Sequence, residues 1–213
     1  MSDCQRGLFL TFEGIEGAGK TSNLQYAKAI IEASGKQVLV SREPGGTEVG
    51  ERIREVLLNP DLPAMHSDTE LLLMFASRAE HYQHKILPAL EAGQWVLCDR
   101  FTDASFAYQG GGRQIDQTRI AALESWVLGD FKVDQTYLFD LPVETGLARA
   151  KARGAADRIE QEQVEFFERI RDCYLSRAQD EPNRFTVVDA AQPLESVQQQ
   201  LSSAVSALLE TVV

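Results

Sequence analysis

A glycine-rich segment that ends in lysine and threonine is the first part of the sequence whose residue types and spacing suggest chemistry. It fits G-x-x-x-x-G-K-[ST] without mismatch and lies between an apolar run and a helical pattern over 23–31. Its residues are Gly14, Ile15, Glu16, Gly17, Ala18, Gly19, Lys20 and Thr21. Glycines let backbone N–H groups converge on phosphate oxygens, and the helix dipole favours the same anion. The segment predicts a phosphate-binding loop (P-loop) in which lysine contacts the β/γ-phosphates and the threonine hydroxyl binds Mg²⁺.

This loop alone does not separate kinases, GTPases and motor ATPases. The sequence has no Asn-Lys-x-Asp motif for guanine, and 213 residues are few for an ATPase that does mechanical work. A glycine-rich turn before an ordinary helix is the structural alternative. Glu16 is unusual, because a triphosphate repels a nearby carboxylate. From the sequence, Glu16 either faces an acceptor hydroxyl or is a solvated loop residue.

Charged residues also follow two further apolar runs, at the points where strands would end. Arg42-Glu43-Pro44-Gly45-Gly46-Thr47 follows the first run, and Asp99-Arg100-Phe101 follows the second. Open α/β sheets bind ligands at the carboxyl ends of their strands. Asp99 is therefore predicted to hold Mg²⁺ directly or through water, like a Walker B carboxylate. A strand-end cap is the simpler alternative.

A dense basic cluster lies late in this acidic chain, whose formal net charge is -11. It comprises Arg149, Lys151, Arg153 and Arg158. Bidentate guanidinium groups suit a clamp on a transferring phosphate. The alternative is that these side chains only solvate a helix surface.

Short apolar runs alternate with longer helical patterns, which is typical of βαβ units around a parallel sheet. The five runs are near-continuously apolar, as in strands buried on both faces. They are Leu8–Phe12, Gln37–Ser41, Trp95–Cys98, Thr136–Phe139 and Phe185–Val188. We therefore predict a three-layer α/β P-loop NTPase fold, with a five-stranded parallel sheet flanked by helices. It forms a single domain over 1–213, with a short lid at about 149–160.

Capping and stop signals mark the predicted helices. Ser67-Asp68-Thr69-Glu70 reads as a capping box, and Asp116 caps a helix that Gly129 ends. A helix introduced by Pro142 ends at Gly154, the next runs from Glu160 to about Gln179, and the last starts at Pro193. The stretches 59–66 and 109–112 are predicted to be irregular.

Composition narrows the partners and the compartment. The net charge of -11 argues against nucleic acid as a partner, because neutralising phosphates needs a basic face. No apolar run approaches the ~18 residues that span a bilayer, and we identify no secretory signal. Cys4, Cys98 and Cys173 are far apart and odd in number, which predicts free thiols in a reducing compartment.

Taken together, these motifs resemble the thymidylate kinase family over essentially the whole chain. The matching segments are 12–21, 42–46, 99–101, 107–113 and 157–160. The Arg-Glu-Pro-Gly-Gly and Tyr-Gln-Gly segments are not general P-loop features. The resemblance implies ATP- and Mg²⁺-dependent phosphorylation of dTMP to dTDP, in dTTP biosynthesis, by a cytoplasmic homodimer. The rivals are another nucleoside-monophosphate kinase with a different base, and a nucleotide-binding module without transfer activity.

The same resemblance assigns residue roles. It implies that Glu16 meets the acceptor sugar's 3′-hydroxyl, and that the bacterial type, with Gly17 in the loop, takes its catalytic cation from the lid. The implied catalytic residues are Lys20, Arg100, Arg153 and Arg158, and Arg149 joins the loop in binding ATP. The implied dTMP residues are Glu16, Arg54, Met74, Phe75, Arg78, Arg100, Ser105, Tyr108 and Gln109. Many members have a thymine-stacking phenylalanine where this chain has Met74, so either Met74 or Phe75 covers the base.

Several other residues are predicted to have structural roles. His81 and His84 share a helix face and are predicted to lie on the surface, capped or solvated, since no third metal ligand has suitable spacing. Trp95 and Trp126 are predicted to be core residues, and Cys98 an inert buried thiol. Asp103 is predicted to cap a strand end or a helix.

Overall fold

A parallel sheet forms the centre of the computed structural model, which describes residues 6–152, 154 and 157–211. Its strands in this part of the chain are β1 (Phe9–Glu13), β2 (Val38–Arg42), β3 (Trp95–Asp99), β4 (Gln135–Asp140) and β5 (Phe185–Asp189). They are ordered β2-β3-β1-β4-β5, and every pairing is parallel. The predicted five-stranded parallel sheet is confirmed.

Helices cover both faces of this sheet. They are α1 (Lys20–Ala33), α2 (Glu48–Leu58), α3 (Ser67–His81), α4 (Leu87–Glu91), α5 (Thr102–Ser105), α6 (Gln117–Leu128), α7 (Val143–Lys151), α8 (Val164–Asp180) and α9 (Leu194–Thr211). On one face, Leu10 shares an apolar cluster with Ile31 and Leu201. On the other, Phe9 clusters with Ile86. The three-layer arrangement follows from this burial, because successive strand residues point to opposite faces.

No helix in the described ranges is both long and apolar enough to cross a membrane. Most of the predicted helix ends are close to those observed. The Asp116 carboxylate accepts a hydrogen bond from the Thr118 N–H, and Gly129 follows the last residue of α6. Two boundaries differ, since α7 already ends at Lys151 and α8 begins only at Val164.

The stretch 109–112, predicted to be irregular, is helical. It is the end of a π-helical segment, Phe106–Gly112, that continues α5; a second such segment, Tyr82–Ile86, continues α3. A side chain at Gly112 would lie 2.5 Å from the Phe166 ring, so the glycines let this turn pack closely on α8. Packing against α8 therefore overrides the low helix propensity of glycine.

The predicted capping box at the start of α3 is not formed. Helix α3 already begins at Ser67, and His66 caps it by accepting a hydrogen bond from the Asp68 N–H. The Glu70 side chain is instead 1 % exposed and binds the Arg113 and Arg158 guanidinium groups. Two cations are stronger partners for a carboxylate than a backbone N–H.

Three of the predicted structural assignments are wrong. His81 is fully buried, and Trp126 is 82 % exposed on α6 rather than in the core. Within the described residues Asp103 caps no helix or strand, because its buried carboxylate binds the Arg177 and Arg184 guanidinium groups at 2.7 and 2.6 Å. Each outcome depends on neighbours distant in sequence. Trp95 and Cys98 are buried as predicted.

Candidate active site

The P-loop crosses from the end of β1 to the start of α1. Gly17 has φ +74°, and a Cβ there would lie 2.0 Å from the Gly146 carbonyl oxygen, so only glycine fits. Gly19, at φ +81°, is the residue before α1. The backbone N–H groups at the start of α1 therefore face the loop, which is the arrangement that binds phosphate at a helix N-terminus.

Lys20 is folded onto this loop. Its Nζ donates hydrogen bonds to the Gly14 and Ile15 carbonyl oxygens at 2.9 and 2.8 Å. Burial, reinforced by the neighbouring Arg100 cation and opposed by nearby carboxylates, lowers the pKa of Lys20 from 10.5 to about 8. An anion in the loop would restore the favourable partner that the buried ammonium lacks.

Glu16 is a buried site residue rather than a solvated loop residue. Its carboxylate accepts hydrogen bonds from the Tyr108 hydroxyl and from Arg100 Nη2, each at 2.8 Å. Burial alone would raise the pKa of Glu16, but Arg100 and Lys20 outweigh burial and lower it. Glu16 is therefore ionised, and the paired Arg100 guanidinium balances its charge beside the loop.

Arg100 has the backbone strain that often accompanies function, with φ +70° in a non-glycine residue. Its Nη2 donates to Glu16 and to the Tyr108 hydroxyl at 2.8 and 2.7 Å. Its buried Nε has no protein partner within the described residues. A guanidinium held this way keeps donor capacity for an anionic ligand.

Two cavities meet at these residues. The larger, about 650 Å³, is lined by Lys20, Thr21, Asp99 and Arg149. The second is lined by Met74, Arg78, Ser105, Tyr108 and Gln109. The walls of both include Glu16, Arg54, Arg100 and Asp157. Two ligands could therefore bind side by side, with two guanidinium groups and two carboxylates between them.

Oxygen ligands for a divalent cation lie in the larger cavity. Thr21 Oγ1 donates to Asp99 Oδ2 at 3.2 Å, so the two predicted Mg²⁺ ligands are adjacent. Among the described residues there is no group of three or more His, Cys, Asp or Glu side chains that could hold a metal. Oxygen donors in this number suit Mg²⁺, which takes one or two protein ligands together with substrate phosphates.

Arg78 reaches the wall of the second cavity. Its guanidinium lies 4.6 Å from the centroid of the Phe75 ring, and its Nη1 donates to the Ser105 hydroxyl at 3.0 Å. Met74 lines the cavity, whereas Phe75 packs on Arg78. Of the two residues left open above, Met74 is therefore the one placed to touch a ligand.

Arg54 and Gln109 are each fixed by a neighbour. Arg54 Nη1 donates to the Pro44 carbonyl oxygen at 2.8 Å. Gln109 Nε2 donates to Glu70 Oε1 at 3.0 Å. Both side chains line the second cavity, so the structure brings all the predicted dTMP residues except Phe75 to its wall.

The predicted lid residues have different surroundings. Arg153 lies outside the described residues, and Lys151 is exposed. Arg149 Nη1 donates to the Ala190 carbonyl oxygen at 2.9 Å at the edge of the larger cavity. Arg158 is folded back, donating to Glu70 Oε2 at 2.6 Å and to the Leu57 carbonyl oxygen at 2.7 Å.

Sequence reasoning missed several side chains of this region, since it assigned no role in the site to Glu43, His81, Glu70 or Asp157. Asp157 lines both cavities, Glu43 and Glu70 bind the site residues Arg78 and Gln109, and His81 binds Glu43. Glu43 and Asp157 lie inside the segments that carry the family resemblance, so their positions could have indicated a place in the site. For Glu70 and His81 the sequence indicated only a position on a helix.

Glu13, the last residue of β1, provides a test by pH. Burial, reinforced by the Asp103 carboxylate, raises its pKa from 4.5 to about 7. The folded protein therefore holds an extra proton between these values, and stability decreases as pH rises through this window. We expect the free energy of unfolding of Glu13→Gln, relative to that of the wild type, to increase by roughly 2 kcal/mol from pH 5 to pH 8. Urea unfolding of both proteins at both pH values measures this difference. A difference that does not change with pH would contradict the raised pKa of Glu13.

Comparison with known proteins adds to this geometry. The family model described as thymidylate kinase matches residues 12–201. A thymidylate kinase from Alcanivorax borkumensis is 62% identical over 92% of this chain and 94% of its own length. One from Pseudomonas savastanoi pv. phaseolicola is 58% identical over 96% and 97%. The crystal structure of thymidylate kinase from Ehrlichia chaffeensis superposes with a TM-score of 0.77 at 30% identity, covering 96% of this chain and 99% of that one. The chain belongs to the thymidylate kinase family.

Proposed function

We propose that this kinase transfers the γ-phosphoryl group of ATP to the phosphate of dTMP, giving dTDP and ADP. The observation that carries the proposal is the pair of cavities sharing Glu16, Arg54, Arg100 and Asp157. ATP would occupy the larger cavity, with its phosphates in the P-loop and Arg149 near the nucleoside. The thymidine moiety would occupy the second cavity, and the acceptor phosphate would lie at the boundary.

The chain's own residues position and neutralise charge in this reaction. Arg54 and Arg100 would hold the acceptor phosphate in line with the γ-phosphate, and Lys20 would leave its carbonyl partners for the β/γ-phosphates. An alcohol acceptor would need a general base, but a phosphate is already an anion. Phosphoryl transfer asks for positioning and electrostatic stabilisation more than covalent chemistry. Closure of the lid would exclude water and suppress hydrolysis.

The cofactor we propose is Mg²⁺, held by Thr21 and Asp99 together with the nucleotide phosphates. Their oxygens are 3.2 Å apart, and their chemistry suits a hard cation. When bound, Mg²⁺ neutralises charge that develops on the β- and γ-phosphate oxygens. Asp99 is held at the end of β3, beside the P-loop strand β1.

Acceptor choice tests the proposal. We expect dTMP to be the best acceptor in a coupled assay of ADP release, with dUMP slower by about 10–200-fold, because a methyl group in an apolar pocket contributes ~1–3 kcal/mol. Purine monophosphates should be poor, since the base must fit between Arg78 and Met74.

Faster turnover of AMP or GMP than of dTMP would overturn the substrate and leave the kinase class standing. No transfer to any monophosphate would favour a nucleotide-binding module. The wild-type protein is measured with each nucleotide at equal Mg·ATP.

We also propose a cytoplasmic homodimer. Cys98 and Cys173 are free thiols, as a reducing compartment favours. Leu72 on α3 and Trp126 on α6 are 56 % and 82 % exposed. The two helices are linked by the Asp68–Arg119 ion pair. Leu72 lies one turn beyond Asp68, and Trp126 lies two turns beyond Arg119. A second copy would cover this apolar face. Sedimentation should give about twice the 23.7 kDa of one chain, and Trp126→Glu should shift it to the monomer.

A further inference from the structure

A buried chain of hydrogen bonds leads from the end of β2 to the wall of the second cavity. Ser41 Oγ lies 2.6 Å from His81 Nε2, and His81 Nδ1 lies 2.9 Å from Glu43 Oε1. The other Glu43 oxygen, Oε2, accepts from Arg78 Nε at 2.7 Å. All four residues are buried, with Ser41 the most exposed at 7 %. Polar groups are buried at this density only when each has a partner.

The order Ser-His-Glu resembles a hydrolase triad, but its surroundings do not suit a nucleophile. The backbone at Gly46 covers the pair, since a Cβ there would lie 2.5 Å from the His81 ring and 2.9 Å from Ser41 Oγ. Glu43 is also engaged by Arg78, whereas a triad carboxylate serves the histidine. The chain of bonds therefore ends at a guanidinium rather than at a reactive hydroxyl.

The charges around these four side chains favour one arrangement of donors and acceptors among them. Glu43 accepts from Arg78, so one cation already balances its carboxylate. A second buried cation on His81 would be unbalanced, and Lys85, which donates to the Gly46 carbonyl oxygen, adds positive charge nearby. A neutral ring that donates from Nδ1 to Glu43 and accepts at Nε2 from the Ser41 hydroxyl satisfies both neighbours. Each group is then satisfied in a single arrangement.

Arg78 is held by hydrogen bonds and by ring contacts. Its Nη1 and Nη2 donate to the Ser105 hydroxyl at 3.0 Å and to the Phe101 carbonyl oxygen at 2.9 Å. The Phe75 and Phe101 rings lie 4.6 and 5.3 Å from the guanidinium carbon. With Nε bound to Glu43, one N–H on each terminal nitrogen has no partner among the described residues. Arginine has no acceptor, so these N–H groups suit a ring carbonyl and repel a ring amine.

We infer that Ser41, His81 and Glu43 form a positioning relay that fixes the orientation of Arg78 and thereby sets selectivity for a pyrimidine with a carbonyl over one with an amine. The inference rests on the proposed function of the second cavity. The three residues are positioning residues, because they act through Arg78. A guanidinium free to rotate would still bind an anion, but would no longer oppose the 4-amino group of dCMP.

The kinetic test compares dTMP with dCMP. We expect His81→Leu to lower the ratio of kcat/KM for dTMP to that for dCMP by about 10–100-fold, since small misplacements of a positioned group cost factors of this size. The KM for ATP should stay unchanged. His81→Asn, whose amide can still donate to Glu43, should recover part of the ratio, and Ser41→Ala should give an intermediate loss. Ser77→Ala is the matched control, because Ser77 is equally buried on α3 and its hydroxyl accepts from the Gly45 N–H rather than from a relay side chain.

A second readout needs no activity. In ¹⁵N spectra of the ligand-free wild type, His81 should show a protonated Nδ1 and an unprotonated Nε2, and the Arg78 Nε–H should give a sharp signal. Glu43→Gln should reverse the tautomer, because its amide donates to Nδ1. His81→Asn should keep the Arg78 signal sharp, and Ser41→Ala should broaden it.

Unchanged base ratios in Ser41→Ala and His81→Asn, with an unchanged Arg78 signal in Ser41→Ala, would overturn the relay even if His81→Leu does not fold. Equal losses for dTMP, dCMP and ATP would assign the residues a structural role only. A wild type that shows the predicted tautomer and signal but phosphorylates neither pyrimidine would contradict the proposed function and leave Arg78 positioned for another carbonyl ligand.

Discussion

Replacing Lys20 with alanine should lower turnover at saturating Mg·ATP by at least ~100-fold, as for other preorganised groups that stabilise transition-state charge. The ammonium lies at the loop, 2.8–2.9 Å from two carbonyl oxygens. Its contact with the phosphates strengthens as charge moves to the β/γ bridge. Steady-state kinetics with dTMP measures the change.

Lys28→Ala is the matched control for this variant. Lys28 lies on the same helix, where its side chain pairs with Glu32. It should keep wild-type turnover, since an exposed pair of this kind contributes little. A Lys20→Ala enzyme with near-wild-type turnover would reject the assignment of the P-loop to phosphate binding.

Replacing the lid arginines should lower turnover by ~10³-fold or more if they act as arginine fingers within the chain. Gly17 leaves the P-loop without an arginine, so the transferring group needs positive charge from elsewhere. We expect Arg153→Ala and Arg158→Ala to lower kcat far more than they weaken dTMP binding, because the contact forms mainly in the closed, reacting state. Kinetics and calorimetry on the single variants separate the two effects.

The surroundings of Arg158 sharpen this test. Arg158 binds Glu70 and the Leu57 carbonyl oxygen, so it must exchange these partners on closure to reach a phosphate. Glu70→Gln should ease that exchange, whereas Arg149→Ala should act mainly on ATP and Lys151→Ala, an exposed control, should be mild. If both lid variants keep wild-type turnover, the charge must come from Lys20, Arg100 and Mg²⁺.

The sequence alone was sufficient for the sheet and the phosphate loop, because both depend on local signals. Continuous apolar runs identify strands buried on two faces, and G-x-x-x-x-G-K-[ST] between a strand and a helix has one structural context. Asp99 could be placed near Thr21 in the same way, since parallel strands bring their carboxyl ends together. The family resemblance then indicated a role in the site for residues such as Arg54 and Arg78, which no local pattern predicts.

The tertiary structure decided which partner each buried charge has. Glu70 satisfies a capping pattern in sequence, but it binds Arg113, Arg158 and Gln109, which lie 39 or more positions away. His81 was predicted to lie on the surface, capped or solvated, because helical spacing alone does not reveal its partners Glu43 and Ser41. Trp126 is apolar, yet it lies on the outer face of α6.

These outcomes have one physical cause. Periodicity records which side of an element is apolar, whereas the pairing of buried polar groups depends on distances between elements that the chain reaches only after folding. A buried charge is stable only with a partner at hydrogen-bonding distance. The sequence therefore determined the scaffold, the loop and the chemistry they permit, and only the packed structure decided how Arg78, Arg100 and Arg158 are held.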